Sequence, residues 1–177
     1  MASASIIEEI KVPEGIEAKL VGKSVEVSGP KGKLTRAFDL RGIELKQGPG
    51  TIVIEAALLR RKQRAAVGMI RSHLNNMFKG VREGFTYRLK IVYAHFPITA
   101  KVDGKRVVIQ NFLGEKNPRI ARIMGDASVK VEGDEIVVEG ISKEEVGQTA
   151  VNIEQATSVK HRDPRTFQDG VYVVSRG

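Results

Sequence analysis

Lys160-His161-Arg162-Asp163-Pro164-Arg165, with Phe167 and Tyr172 after it, concentrates cations and aromatic rings in a segment that proline and glycine keep from forming a regular helix. Cationic side chains neutralise phosphates, and rings beside them pack on the segment or stack on bases. A final edge strand over 171–174 is the plainer reading of its end, and the two readings are compatible. A second run, Arg60-Arg61-Lys62-Gln63-Arg64, lies in a segment of helical period. There Arg60, Arg64 and Arg71 share one stripe beside the apolar face, with Gly68 adding little bulk between them. Such a stripe is either a solvated helix face or a row of phosphate contacts, and the overall charge favours the second. Lys116, Arg119 and Arg122 join the candidates on charge and position.

Other chemistry finds little support. Gly22-Lys23-Ser24 resembles the end of a phosphate-binding loop, but that motif needs a glycine where Glu17 stands. Gly29-Pro30-Lys31-Gly32 has the form of the GxxG clamp of KH domains, yet that clamp joins helices and these glycines join strands, so a tight turn is expected. His73, His95 and His161 lie far apart without metal-ligand spacing and read as surface or packing histidines. Glu132, Asp134, Glu135 and Glu139 fall in a hairpin, where a solvated edge explains them. With no cysteine, disulfides and thiolate metal sites are excluded. No serine occupies a nucleophile elbow, and no catalytic constellation, metal site, cofactor site or small-molecule substrate is expected.

The formal net charge of +8 points to a polyanionic partner. Residues 1–97 hold 17 Lys and Arg against 9 Asp and Glu, whereas residues 98–177 hold 12 of each. Within the second stretch the signs separate: 101–122 is basic, 132–154 mostly acidic, and 160–176 basic again. Folded onto opposite sides, these segments give one face suited to nucleic acid and one suited to water or a basic protein. The N-terminus lacks the basic start and apolar run of a signal peptide, and no apolar stretch approaches the ~20 residues that span a bilayer. A soluble cytoplasmic protein with no membrane partner is the expectation.

The elements that must carry these residues are written twice. Ala18-Lys19-Leu20-Val21-Gly22-Lys23-Ser24-Val25-Glu26-Val27 returns as Ala100-Lys101-Val102-Asp103-Gly104-Lys105-Arg106-Val107-Val108-Ile109. Ile52-Val53-Ile54-Glu55 returns as Ile136-Val137-Val138-Glu139, and Ala66-Val67 with Met69 as Ala150-Val151 with Ile153. A hairpin, further strands and one helix recur in the same order, which predicts tandem domains of one fold, 1–97 and 98–177, the first basic and the second bearing the basic tail. The class is α+β: two tandem repeats of one small domain, each a mainly antiparallel sheet with one helix packed on it. In the first, alternation predicts strands around Val21 to Ser24, weaker strands over 34–38 and 43–45, and a strand over 51–55 after Gly48-Pro49-Gly50. A helix follows from about Leu58, with Leu59, Ala66, Val67, Ile70, Leu74, Met77 and Phe78 on its apolar face and Gly80 as its C-cap. A long strand over 85–94 then leads to Pro97. The second repeats the plan through strands at 98–102, 106–110, 127–131 and 135–139, with a looser stretch over 111–124. Ser142-Lys143-Glu144-Glu145 has capping-box form before an apolar face of Val146, Ala150 and Ile153.

The tail resembles the family of the sixth protein of the large ribosomal subunit, in its archaeal and eukaryotic branch. Gln155, Val159, Arg162, Arg165, Phe167, Asp169-Gly170-Val171-Tyr172-Val173 and Arg176 stand in that family's spacing. The resemblance extends through Asn75-Asn76-Met77, Gly80-Val81, Gly84-Phe85 and Glu145-Val146-Gly147-Gln148. It implies a structural constituent of the large subunit, bound to ribosomal RNA near the sarcin-ricin loop and the translation-factor binding region, beside neighbouring large-subunit proteins. It further implies that Lys160, His161, Arg162 and Arg165 contact RNA while Phe167 and Tyr172 fix the tail's shape. In the bacterial branch a basic residue tends to follow the helix's Ala-Ala-x-Ile; here Glu154 follows Ile153, so the contacts of that helix do not transfer.

The expectation is thus a non-catalytic ribosomal protein that holds folded RNA through phosphate and 2′-hydroxyl contacts. One rival, a free-standing duplicated RNA-binding module, would need exposed aromatics on its sheets, against no Trp and only 6 Phe and 3 Tyr. The other, an interaction scaffold outside the ribosome, would use the acidic hairpin and helix to hold a basic partner.

Overall fold

Residues 6–39, 41–56, 60–160, 162–163 and 165–177 are described by a computed structural model of the chain. The chain divides into two compact units between Glu83 and Gly84. The first contains β1 (Ile6–Lys11), β2 (Glu17–Val21), β3 (Ser24–Gly29), β4 (Gly32–Ala37), β5 (Ile43–Gly48), β6 (Thr51–Ala56) and helix α1 (Arg61–Arg82). Its strands form two antiparallel three-stranded sheets, ordered β1-β6-β5 and β2-β3-β4. The alternation along the central strands buries Val25 and Val27 of β3 and Ile52 and Ile54 of β6. Against them α1 buries Val67, Ile70, Leu74, Met77, Phe78 and Val81, a stripe at intervals of three and four residues.

The second unit contains β7 (Phe85–Val92), β8 (Thr99–Asp103), β9 (Arg106–Gln110), β10 (Arg119–Arg122), β11 (Ser128–Glu132), β12 (Glu135–Gly140), α2 (Lys143–Ala156) and β13 (Gly170–Arg176). One sheet is ordered β10-β9-β8 and the other β11-β12-β7-β13, all neighbours antiparallel. Helix α2 covers the core with Val146, Thr149, Ala150 and Ile153. Ser142 caps it by accepting from the Glu145 N–H at 3.4 Å. The Glu145 carboxylate does not close the capping box: it accepts instead from the Asp126 N–H at 3.0 Å. A Cβ on Gly125, whose φ is +54°, would fall 2.1 Å from that carboxyl carbon, so this turn needs a glycine.

The α+β class and the duplication are present, with each unit's strands dividing into two sheets. The expected boundary at residue 97 differs from the observed division. The 85–94 strand was expected to end the first repeat, yet β7 pairs with β12 on one side and β13 on the other. Its counterpart is β1, for Ile10 pairs with Ile52 as Leu89 pairs with Ile136. A strand alternating Phe85, Tyr87, Leu89 and Ile91 satisfies any sheet offering an apolar face, so its own sequence does not choose between units. Strands β1 and β10 have no counterpart among the expected elements, and β10 lies in the stretch expected to be loose.

Gly80, expected as the C-cap, is buried inside α1, which continues to Arg82; Gly84, at φ +77°, follows as the left-handed residue. The expected helix face beginning at Leu59 lies outside the described residues at that end. The Gly29-Pro30-Lys31-Gly32 turn serves the end of the same helix. Lys31 N–H donates to Val81 O at 2.9 Å and its ammonium donates to Glu83 O, satisfying carbonyls that the helix leaves open. A Cβ on Gly29 would stand 2.9 Å from the Val81 carbonyl oxygen, which accounts for a glycine without any nucleic-acid role.

Because β7 lies between two strands of the four-stranded sheet, a fragment spanning 84–177 is expected to unfold cooperatively on heating. One spanning 98–177 is expected to lack that transition. Circular dichroism melts of both fragments check this, and a cooperative 98–177 fragment would restore the later boundary.

Candidate nucleic-acid interface

The tail between α2 and β13 is a built loop. Thr157, buried at the helix end, accepts at its hydroxyl from the Val171 N–H at 2.9 Å, and the hydroxyl donates to Glu154 O at 3.1 Å. One side chain thereby joins the loop's exit to its entrance. Within the loop, Asp163 O accepts from Phe167 N–H at 2.9 Å, and Asp163 Oδ1 accepts from Arg165 N–H at 2.9 Å, an Asx turn. Tyr172 O–H donates to Gln168 O at 3.0 Å, so this ring shapes the tail from the first residues of β13.

A second fastening comes from the far side of the sheet register. Asp169 is 0% exposed; its Oδ2 accepts from His95 N–H at 3.2 Å and its Oδ1 lies 3.0 Å from His95 Nδ1. An ionised carboxylate only accepts, so the proton of the neutral ring sits on Nδ1. Burial pushes the Asp169 carboxyl up. The ring and backbone N–H groups of His95 and the Ala94 N–H outweigh that and hold it below the usual carboxylate value. The His95 ring stacks on Phe167 with centroids 4.7 Å apart, and the Arg162 guanidinium carbon lies 4.7 Å from the Phe167 centroid. A buried carboxylate thus fixes an imidazole, the imidazole a phenyl ring, and the phenyl ring an exposed guanidinium.

The 111–119 segment meets the tail through Arg119. Its guanidinium donates to both Glu115 oxygens at 2.8 and 2.6 Å, to Ala156 O at 2.9 Å and to Ser158 O at 3.1 Å, and its carbon lies 4.2 Å from the Phe112 centroid. Glu115 is held below the usual carboxylate value chiefly by that hydrogen-bonded guanidinium, with burial opposing and Arg162 adding attraction. Its charge alone suggests a phosphate contact, but the Arg119 guanidinium donates to these internal acceptors and positions the helix end from which the tail leaves. Phe96, 44% exposed, lies over the Gly114 turn, where a Cβ would sit 3.3 Å from its ring.

Lys160, Arg162 and Arg165 are exposed in the tail and Lys116 in the adjoining segment. Phe167, half-buried, supports Arg162. Arg122 is exposed on β10, where the alternation turns it to the sheet face opposite Ala121. His161 lies outside the described residues. Arg60 and Arg64 are exposed near the start of α1, in the other unit, where the first turn carries no acid and Arg60 provides no side-chain cap. Arg71 on the same stripe donates from Nη1 to Glu8 Oε1 at 2.8 Å, which fastens α1 to β1. Lys23, of the Gly22-Lys23-Ser24 turn, pairs with Asp39 at 2.6 Å. Glu154 accepts from the Val173 N–H at 3.4 Å, giving it a structural place beside β13. His95, expected as a surface or packing histidine, does pack on Phe167, but its pairing with a buried Asp169 had no place in the sequence reading. The available signal was the crowding of Tyr93, His95 and Phe96 before Pro97. Among the described residues no cluster of His, Asp and Glu could hold a metal ion.

Asp169 has a lowered carboxyl value in the folded chain, so its stabilisation is complete above the unfolded value of about 3.9 and is lost as pH falls through the lower folded value. Asp169→Asn is expected to lower the melting temperature of the protein at pH 7 and to flatten the acid limb of its stability profile below about pH 4. Thermal melts across pH check both, and an unaltered acid limb would show that this carboxylate does not anchor the tail.

The profile of the family described as ribosomal protein L6 matches residues 12–84 and again residues 96–170, one match for each copy of the duplicated unit. The large ribosomal subunit protein uL6 of Methanosarcina mazei is 52% identical over 171 residues, covering 97% of this chain and 97% of its own. That of Methanobrevibacter smithii is 47% identical over 176 residues, covering 99% of each. That of Aeropyrum pernix is 49% identical over 172 residues, covering 97% of this chain and 94% of its own. With a fold of two like units, a tail in the family's spacing and relatives matched over nearly the full length, this chain belongs to the ribosomal protein L6 family, in its archaeal type, a structural family and not one of enzymes.

Proposed function

We propose that the protein is a structural constituent of the large ribosomal subunit in the cytoplasm. In this reading it binds ribosomal RNA near the sarcin-ricin loop and the translation-factor binding region, beside neighbouring large-subunit proteins. The observation that carries the RNA contact is the stack in which Arg162 rests on Phe167, Phe167 on His95, and His95 on the buried Asp169. A guanidinium held in this way loses less side-chain freedom when it meets a phosphate, and its fork of donors suits phosphate oxygens. Arg165, Lys160 and Lys116, all exposed, supply further phosphate contacts, and His161 adds one from the tail motif. The contacts recognise the shape of folded RNA and neutralise its backbone, so binding weakens steeply with salt.

On a sucrose gradient of cell lysate the protein is expected to sediment with the large subunit and to leave it only at high salt. Remaining near the top at low salt would overturn the ribosomal reading. Charge reversal at Arg162 and Arg165 is expected to weaken binding to large-subunit ribosomal RNA by about an order of magnitude. Reversal at Lys19 and Lys23, which are paired with Glu17 and Asp39, is expected to cost far less. Equal losses in a filter-binding assay would remove the tail from its assigned role.

A further inference from the structure

The duplication supplies an internal comparison for the outer face of the β8-β9-β10 sheet. Alternation turns Val107, Ile109 and Ala121 into the core and leaves Arg106, Val108, Ile120 and Arg122 outside. The register places Arg106 directly opposite Arg122, and Val108 between Lys101 and Ile120. Like charges facing each other across strands destabilise a sheet. Asp103 stands opposite Arg106 on the other side, yet among the described residues no carboxylate forms an ion pair with Lys101, Arg106 or Arg122.

The equivalent face of the first unit is neutral. Ser24 opposite Ala37 occupies the place of the two arginines, and Glu26 opposite Thr35 the place of Val108 and Ile120. Its cations are compensated, Lys33 by Glu26 and Lys19 by Glu17. One fold built twice therefore tolerates a balanced face, so the facing arginines of the second unit, which form no ion pair among the described residues, answer no need of the sheet.

We propose that this face is a second RNA-contact surface, separate from the tail, in which Arg106, Arg122 and Lys101 hold backbone phosphates while Ile120, 52% exposed, and Val108 lie against the sugars. It rests on the ribosomal reading above and extends it from one RNA contact to two. Among the described residues Asp103 alone stands opposite the two arginines and makes no ion pair with either, so the counter-charge is the phosphate backbone, whose approach turns a repulsive pair into a clamp.

The test uses the full-length protein and deproteinised large-subunit ribosomal RNA, with affinity measured across salt concentrations for wild type, R106Q/R122Q and R162Q/R165Q. The sheet-face variant is expected to lower affinity and to reduce the salt slope by about two, one for each phosphate contact removed. Its melting temperature without RNA is expected to hold or rise, since the substitution relieves repulsion; a merely structural pair would lower it. An unchanged slope in R106Q/R122Q beside a reduced slope in R162Q/R165Q would overturn this inference and leave the tail's role standing. Absence of binding by the wild type would remove both.

Discussion

Gly170 pairs with Val92 at the end of β7, and from that register the tail-bearing end of the second unit follows. Antiparallel pairing sets the residues beyond each strand end beside each other, so Asp169 meets His95. No water is needed to solvate the buried carboxylate, because backbone and ring N–H groups do so. The imidazole so fixed gives Phe167 a surface to stack on, and Phe167 supports Arg162. A shift of the pairing by one residue would turn Val171 out of the core and carry Asp169 away from its donors.

Cations in this chain divide by what surrounds them and not by how they cluster in sequence. Arg119 and Arg71 lie in basic stretches, yet one holds Glu115 and two carbonyls near the end of α2 and the other binds Glu8. Lys31 likewise works as a helix-end donor. Arg162 and Arg165 carry the same charge but keep their guanidinium groups at the surface. Charge runs report which segments can meet a polyanion, while the partners of each side chain decide which of them is available to do so.

Duplication followed by divergence is visible in the sheet edges as well. The β1-β6-β5 sheet ends at β1 among the described residues, whereas the equivalent strand β7 carries β13 on its other side. That added strand brings the tail back to the sheet, and the tail is where the halves differ most in sequence. In the second copy the chain runs on past the helix into this loop, and Thr157 and Glu154 of α2 bind the returning strand at Val171 and Val173.

Alternation, helical period and internal repetition depend on neighbours close in sequence, and these were legible: the hairpins, both helices, the duplicated α+β plan and the basic tail with its family spacing. The capping serine of α2 was legible for the same reason, since its partner is three residues away. What sequence left open were choices made by residues far apart along the chain. The allegiance of β7 depends on β12 and β13, and the partner of Arg119 on a helix end 37 residues away. His95 and Asp169, separated by 74 positions, carry no local mark of their pairing. Sequence by itself determined the class, the repeat and the family, because local pattern and motif spacing suffice for them. The tertiary structure alone decided which cations are exposed, because only the register of non-local strands brings carboxylates, carbonyls and rings within bonding distance of them.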